Sequence, residues 1–185
     1  MIRVEDIRAT VDAYLIRHPD EVGRLAPLTT ALDADHDLTS RKTLPGHVTC
    51  SALVCDPAGR VLHIRHNVLN RWLCPGGHLE PHDTTLAGGA LREITEETGI
   101  PVSALRLIDE VPIDIDVHPI PANPAKSEPD HQHFDLRYAF TTTAAPQVVL
   151  QTEEVHDFGW LPTAEIEPAW LAGRLTDPQW EIRAG

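Results

Sequence analysis

The sequence predicts a layered domain of α-helices and β-strands, either of the α+β class or an α/β/α sandwich. Three observations lead to this prediction. Helical patterns occupy the N-terminal part of the chain, a glutamate-rich helix interrupts a series of strand-like segments, and a last helix follows the final strand. The 185 residues are enough for one domain with a sizeable core and some appended elements.

The N-terminal part of the chain has the pattern of two helices. Apolar residues recur every three or four positions in a helix predicted over residues 3–17, namely Val4, Ile7, Val11 and Leu15. Pro19 interrupts this helix, and a second helix is predicted over about residues 20–32. A polar linker follows. We therefore divide the chain into an N-terminal helical extension, residues 1–45, and a main domain, residues 46–185.

The main domain is rich in strand-like segments. "HVTCSALVCD" and "VLHIRH" predict two strands joined by the turn "DPAGR", and "RWLCPGGHLEP" predicts a short strand that runs into a glycine turn. "IDEVPIDIDVHPI" and "HQHFDLRYAF" alternate like paired strands, and "HDFGWLP" predicts a last strand. The segment "TAEIEPAWLAGRL" predicts a final helix that Pro168 kinks or shortens.

The main helix is predicted over residues 84–98. Asp83 or Thr84 is expected to be its N-cap, and Gly99 is expected to end it. Its apolar residues gather on one side, which is predicted to face the core: Ala87, Ala90, Leu91, Ile94 and Thr98.

Three glutamates share the adjoining arc of this helix. Glu93, Glu96 and Glu97 fall at i, i+3 and i+4, where like charges cost a few tenths of a kcal/mol each. One interpretation is a solvated acidic face. The other is a hard-cation site, in which Mg²⁺ or Mn²⁺ removes the repulsion and holds a diphosphate. Gly88 and Gly89 cost about 1 kcal/mol each in a helix interior, which indicates that something approaches closely there.

Composition excludes several classes of partner. The net charge of −13 argues against a binder of nucleic-acid polymers or of membrane surfaces, because both need a basic patch. No apolar run approaches the roughly 20 residues that span a bilayer, and the N-terminus does not have the pattern of a signal peptide, so a cytoplasmic location is expected. Cys50, Cys55 and Cys74 are predicted to be reduced, buried thiols.

The segment "GGHLEPHDTTLAGGALREITEETGI" resembles the Nudix box, G-x5-E-x7-R-E-U-x-E-E-x-G-U, in which U is a bulky aliphatic residue. The second half of the box matches fully, with Arg92, Glu93, Ile94, Glu96, Glu97, Gly99 and Ile100. The first half departs from it. Asp83 stands where the family has glutamate, and eight residues rather than seven separate it from Arg92. With the flanking strands, the resemblance extends over roughly residues 47–166.

The resemblance implies a Nudix fold, an α/β/α sandwich around a mixed sheet, here with the N-terminal helical extension. It also implies a divalent-cation-dependent hydrolase that cleaves a diphosphate linked to another group, often a nucleoside. Carried over to this sequence, Arg92 would orient Glu93 by a charge-assisted hydrogen bond. The metal ligands, for Mg²⁺ or Mn²⁺, would be the Gly77 carbonyl, Glu93, Glu96 and Glu97.

The resemblance leaves the general base open. It can be a glutamate of the box, such as Glu93, or one on a downstream loop, where Glu153 and Glu154 stand in "LQTEEVHDF". An ordinary acidic loop is the alternative for that pair. The candidate catalytic residues are therefore Glu93, Arg92, Glu97 and Glu154.

A second polar group is predicted on the paired strands. Period-two alternation places His131, His133, Asp135 and Arg137 on one face of a strand, and Asp114, Asp116 and His118 on one face of its partner. Three interpretations stay open: a solvent-exposed sheet face, a substrate-binding patch, or a second, histidine-rich site for a transition metal. His78, in the glycine turn, either stabilises the turn or contacts substrate. The candidate substrate residues are His133, Arg137, Lys126 and His78.

Substrate and assembly are less constrained by the sequence. Residues 115–118 carry neither the proline nor the tyrosine that marks some Nudix subfamilies, which leaves a nucleoside triphosphate or modified nucleotide as the expected substrate. The N-terminal helices could cover the site, form a homodimer contact or pack on the sheet. Two rival functions are a nucleotide-binding sensor without activity and a prenyl diphosphate isomerase, for which Cys74 would be the reactive cysteine.

Overall fold

A computed structural model of the chain describes residues 1–34, 36–67, 70–124, 127–142, 146–152, 155–166 and 168–176. These residues form a mixed β-sheet with helices packed on both faces, so the predicted α/β class and layered architecture are confirmed. No helix within these ranges combines the length and the apolar character needed to cross a membrane.

The helices and most strands follow the predicted order along the chain. A strand at Gly76–His78 lies where a glycine turn was predicted, and a strand at Leu105–Leu107 was not predicted. The α-helices are α1 (Val4–Arg17), α2 (Ala26–Asp33), α3 (Leu86–Thr98) and α4 (Ala169–Leu175). The strands are β1 (Gly46–Cys55), β2 (Arg60–His66), β3 (Arg71–Leu73), β4 (Gly76–His78), β5 (Leu105–Leu107), β6 (Asp114–Ile120), β7 (His131–Thr142) and β8 (Val155–Pro162). Short 3-10 helices cover Pro19–Glu21, Val102–Ala104 and Thr163–Glu165.

The long strands β1 and β7 form the centre of the sheet. They pair in parallel over ten residues of β1, and every residue of β1 is buried, as expected for a strand covered on both faces. The order β3-β2-β1-β7-β5 is completed by β6 on β7, β8 on β2 and β4 on β1. Because β2 meets β1 at Cys55 and β4 meets it at residues 49–51, β1 changes its partner along its length.

Two hydrophobic clusters lie on opposite faces of the sheet. Alternate residues of β1, starting with Val48, pack into the larger cluster with α1, α2 and α3, whereas Leu53 and Cys55 pack into the smaller one with α4. The N-terminal helices contribute to the larger cluster through Ile7, Val11, Tyr14, Leu25, Leu28 and Leu32. The N-terminal extension therefore packs on the sheet and shares the core of the main domain.

Two of the predicted helices have wrong bounds, and the last helix is shortened as Pro168 predicted. The helix α3 begins at Leu86, and its N-cap is Thr85, whose hydroxyl accepts the Gly88 N–H at 2.9 Å. The second predicted helix is divided into a 3-10 turn and α2. The last predicted helix is likewise divided, and α4 starts only after Pro168, as the shortening effect of that proline predicted.

The predicted end of α3 is confirmed, and the prediction of buried, reduced cysteines is confirmed except for the burial of Cys74. Gly99 ends α3 in the left-handed conformation, with φ of 66°. All three cysteines are free thiols; Cys50 and Cys55 are buried as predicted, whereas Cys74 is only partly buried.

Candidate functional site

Strand β4 and helix α3 approach each other through two glycines. A Cβ atom on Gly77 would lie 2.4 Å from the Glu93 Oε1 atom, and one on Gly76 would lie 2.4 Å from the Ser51 Cβ atom. Real side chains do not occupy such positions. The two glycines therefore let β4 fit between β1 and α3, and they bring Gly77 against the Glu93 carboxylate.

Arg92 holds the two most accessible glutamates of the helix. Its Nη1 atom donates to the Glu93 Oε1 atom at 2.9 Å and to the Glu96 Oε2 atom at 2.8 Å, while Nη2 donates to the His78 carbonyl at 2.8 Å. The implied hydrogen bond from Arg92 to Glu93 is thus present, and the role of this bond in catalysis stays a prediction. Burial alone would lower the pKa of Arg92, but the hydrogen bond to Asp83 and the charge of Glu93 raise it above its ordinary value.

Asp83, at the position where the box departs from the family pattern, contacts Arg92 through both of its carboxylate oxygens. Its two carboxylate oxygens accept from the Arg92 Nε and Nη2 atoms at 3.1 Å each, and Oδ2 also accepts the Glu80 N–H at 2.8 Å. Despite its burial, these hydrogen bonds hold the pKa of Asp83 below its usual range. Asp83 therefore links the loop at Glu80 to Arg92 on helix α3. It also lies against Gly89, where a Cβ atom would meet the Asp83 Oδ2 atom at 3.3 Å.

The three glutamates differ in their surroundings. Glu97 is 3% exposed and accepts the Gly76 N–H at 3.0 Å. The side chain of Glu93 is 13% exposed and that of Glu96 is 50% exposed. The interpretation as a solvated acidic face is therefore wrong for Glu93 and Glu97, although the i,i+4 ion pair that belonged to it is present between Arg92 and Glu96. Within the described ranges, their ligand atoms do not form a cluster of three as close as that of the histidines below, so their ligation of one cation stays a prediction.

The polar faces of β6 and β7 form one patch, as the alternation predicted. In the register of the two strands, Asp114 lies opposite Arg137 and Asp116 lies opposite Asp135. The patch is not a solvent-exposed face, since Asp114 is fully buried and the Arg137 side chain is 19% exposed. On β1, the hydroxyls of Thr49 and Ser51 donate to Asp135 at 3.1 and 2.7 Å.

Arg137 is held by three carboxylates. Its Nε atom donates to Asp135 at 3.1 Å, Nη1 to Asp114 at 3.2 Å and Nη2 to Asp116 at 2.8 Å. Burial opposes the charge of Arg137, but the three aspartates raise its pKa above the ordinary value. A substrate phosphate would have to compete with these three partners. The expected phosphate contact of Arg137 thus stays a prediction, and the geometry favours a structural ion-pair network.

Five of the chain's 11 histidines gather beside this patch: His47, His78, His118, His131 and His133. Their ring centroids are separated by 4.9 Å between His47 and His133 and by 5.6 Å between His118 and His133. His47 was not among the sequence candidates. Its position in the cluster follows from the parallel register that pairs it with His133, and the sequence carries no signal of that register.

The candidates for the downstream general base and for the lysine contact with phosphate do not belong to the described part of the chain. Glu153, Glu154 and Lys126 lie outside the described residues. The proposed base on the downstream loop and the proposed lysine contact with phosphate therefore stay predictions.

Comparison with known proteins agrees with the geometry. A family model described as the NUDIX domain matches residues 45–182. The chain is 34% identical over 91 residues to a protein of Lactococcus lactis subsp. cremoris named "Probable DHNTP pyrophosphohydrolase". That match covers 49% of this chain and 51% of the relative, so the chain spans about half the length of the curated relative it matches.

Solved structures show the same fold. An Ap4A hydrolase of C. elegans, in a binary complex, superposes with a TM-score of 0.55 at 16% identity, covering 69% of this chain and 93% of that one. The dihydroneopterin triphosphate pyrophosphohydrolase of E. coli superposes with a TM-score of 0.50 at 21% identity, covering 63% and 80%. At these identities the likeness establishes the fold alone.

Proposed function

The chain belongs to the Nudix family, and from this premise we propose that it is a divalent-cation-dependent pyrophosphohydrolase. Its substrate is proposed to be a nucleotide or nucleotide derivative in which a diphosphate is linked to another group. The observation that supports this most directly is the packing of the Glu93 carboxylate against Gly77, with Arg92 fixing Glu93 and Glu96 on the same face.

The residues at this face fit a hard cation such as Mg²⁺ or Mn²⁺. The Gly77 carbonyl and the carboxylates of Glu93, Glu96 and Glu97 are oxygen donors, which both cations prefer. The Glu96 side chain is half-exposed, and within the described part of the chain its hydrogen bond is to Arg92, so exchanging that bond would let it turn toward the others. When bound, the cation would neutralise diphosphate oxygens and acidify the attacking water.

The protein's own groups have separate roles in this proposal. Arg92 keeps Glu93 in position, and the Gly76 N–H keeps Glu97 in position. As water attacks phosphorus, Glu93 accepts its proton while the anhydride P–O bond breaks and the leaving phosphate takes the electron pair. Glu154 is the alternative proton acceptor.

The substrate class rests on the family and on the names of the relatives. Those names concern dihydroneopterin triphosphate and Ap4A. We place this chain's substrate in the same broad class, a small molecule in which phosphoanhydride bonds are joined to an organic group. A cytoplasmic location and a possible homodimer belong to the same proposal.

The two rival functions have less support. A sensor without activity does not require the complete set of Arg92, Glu93, Glu96 and Glu97 that this chain retains. An isomerase would need a reactive thiol. Burial raises the pKa of the Cys74 thiol to about 12, which keeps it protonated at neutral pH and therefore weakly nucleophilic.

A release assay tests the proposal. Purified protein is incubated with nucleoside triphosphates, dihydroneopterin triphosphate, dinucleoside polyphosphates and nucleotide sugars, in Mg²⁺, in Mn²⁺ and in EDTA, and phosphate and pyrophosphate are measured. We expect turnover of at least one class, reduced at least about 100-fold by EDTA, because the cation supplies the main charge stabilisation. Binding of a substrate without any cleavage would support the sensor, and cleavage that EDTA leaves unchanged would contradict the metal-dependent mechanism.

A further inference from the structure

The histidine cluster is assembled by the register of four strands. His47 on β1 pairs directly with His133 on β7, and His118 on β6 pairs with His133 from the other side. His78 on β4 pairs with Thr49, two residues along β1 from His47, and so lies on the same side of the sheet. The cluster is therefore built into the sheet by strand pairing.

The cluster and the glutamates lie on opposite sides of β4. Neighbouring residues of a strand point to opposite faces. The Cα of Gly77 faces the Glu93 carboxylate, and the next side chain, His78, contacts the rings of His47 and His133 at centroid distances of 5.1 Å each. The glutamates of α3 thus lie on one face, and the histidine rings lie on the other.

His47 carries a buried nitrogen that has no hydrogen-bond partner among the residues the structure describes. The residue is 2% exposed, and the nitrogen is its Nε2 atom, while Nδ1 donates to the Thr43 carbonyl over 3.2 Å. A buried polar atom without a partner costs about 1–3 kcal/mol. Because Nδ1 is the donor, Nε2 presents a lone pair to the cluster, which is the state in which histidine binds a metal.

Other rings are fixed in the same way. The Nδ1 atom of His131 faces the Pro129 carbonyl at 2.9 Å, and that of His118 faces the Asp116 carboxylate at 3.0 Å. Metal-binding histidines commonly donate one ring N–H to a carbonyl or carboxylate, which orients the other nitrogen. The Nε2 atoms of His131 and His133 face each other at 3.3 Å.

We propose that His47, His78 and His133 form a site for a transition-metal cation of the Zn²⁺ class, distinct from the oxygen-donor site of the glutamates. One ligand nitrogen of each residue lies within 4.8 Å of the others. Zn–N bonds of about 2.0–2.1 Å in a tetrahedron require nitrogens roughly 3.3 Å apart, so modest ring rotations complete the site. Three nitrogen ligands and one open position are the arrangement of zinc sites that accept a further ligand.

This proposal assigns His78 and His133 to a cation in place of direct contact with substrate. Nitrogen donors favour Zn²⁺, Co²⁺ or Ni²⁺ over Mg²⁺, which prefers oxygen. The inference does not depend on the proposed hydrolase activity, and its test requires no substrate.

Cobalt provides the probe. Co²⁺ is titrated into chelator-treated full-length protein, visible absorption reports nitrogen-rich four-coordinate cobalt, and Zn²⁺ is then added as a competitor. We expect one such Co²⁺ per chain, displaced by Zn²⁺. His133→Gln and His78→Gln should each weaken Co²⁺ binding at least about 10-fold, the lower end of the cost of disturbing a metal site.

Two controls separate this site from the rest of the protein. His156→Gln removes an exposed histidine of β8 outside the cluster and should bind Co²⁺ like wild type. Glu97→Gln should keep the nitrogen-type spectrum. Thermal melts show whether each variant folds. His78 lies on the short, partly buried strand β4, so its replacement is expected to disturb the hydrophobic core little. Unchanged Co²⁺ affinity in folded His78→Gln and His133→Gln, or a spectrum of oxygen ligation that Glu97→Gln abolishes, would overturn the proposal.

Discussion

At the scale of single residues, two arginines organise the polar groups of this protein. Arg92 forms ion pairs with Asp83, Glu93 and Glu96. Arg137 forms ion pairs with Asp114, Asp116 and Asp135. A guanidinium presents five donors in a fixed plane and can meet several carboxylates at once, which an ammonium group cannot. In both cases the arginine compensates like charges that would otherwise repel one another.

The substitution Arg137→Lys tests the structural interpretation of this side chain. A lysine keeps the charge but loses the planar contacts to Asp114, Asp116 and Asp135, so the free energy of unfolding should fall by about 1–3 kcal/mol. Urea denaturation measures this. The matched control is Arg3→Lys, whose ion pair with Asp6 is exposed and whose replacement should leave the free energy of unfolding at its wild-type value. If Arg137→Lys leaves stability unchanged and weakens only substrate binding, the expected phosphate contact is supported instead.

The sequence reveals some of these residue contacts and hides others. The resemblance to the Nudix box implied the bond from Arg92 to Glu93, and alternation predicted the shared face of Asp114, Asp116 and Arg137. The ion pair between Asp83 and Arg92 was not predicted, because the distance between the two side chains depends on a loop conformation that residue types do not specify. His47 was missed because its partners come from two other strands, β4 and β7.

At the scale of elements, the contact between β4 and α3 determines the geometry of the site. Gly76 faces the backbone and Cβ of Ser51, whereas Gly77 faces the movable end of the Glu93 side chain. The two neighbouring glycines therefore have different functions. One permits the strands to pair, and the other admits a carboxylate.

This difference predicts that substitution of one glycine lowers stability, whereas substitution of the other lowers turnover. Gly76→Ala should lower the free energy of unfolding by about 1–3 kcal/mol, because the added methyl meets β1 and overpacks the core. Gly77→Ala should leave the fold intact but displace Glu93, and turnover should fall at least about 10-fold, on the scale of a misplaced catalytic group. Melting curves and the release assay distinguish them. A Gly77→Ala protein with wild-type turnover would show that Glu93 is not required at this position.

Element types were easier to predict than element ends. Period-two alternation and the apolar side of α3 identified the longer strands and the main helix, because burial on one face imposes these patterns. The three-residue strands β4 and β5 were not predicted as strands. The start of α3 was misplaced, since Asp83, Thr84 and Thr85 are all acceptable N-caps. Thr85 is the cap because Arg92 and Glu80 already engage the Asp83 carboxylate.

At the scale of the whole molecule, distant parts of the chain meet at one buried carboxylate. Asp114 on β6 is fully buried and is paired with Arg24 at 3.1 Å, Arg174 at 2.9 Å and Arg137 at 3.2 Å. Arg24 follows α1 in the chain, Arg174 lies on α4, and Arg137 lies on β7. Asp114 therefore ties the N-terminal extension and the last helix to the sheet. The sequence could not predict this junction, because the residues involved are separated by tens of positions and carry no joint pattern.

The most direct test of the account is the turnover of Glu97→Gln on a substrate identified by the release assay. Glutamine still accepts the Gly76 N–H, so the fold should persist while the negative charge at the cation site is lost. We expect turnover to fall at least about 100-fold, with an unchanged melting temperature, whereas the exposed control Glu165→Gln should match wild type. A folded Glu97→Gln protein that retains wild-type turnover would contradict the assignment of the glutamate face of α3 as the hydrolytic site.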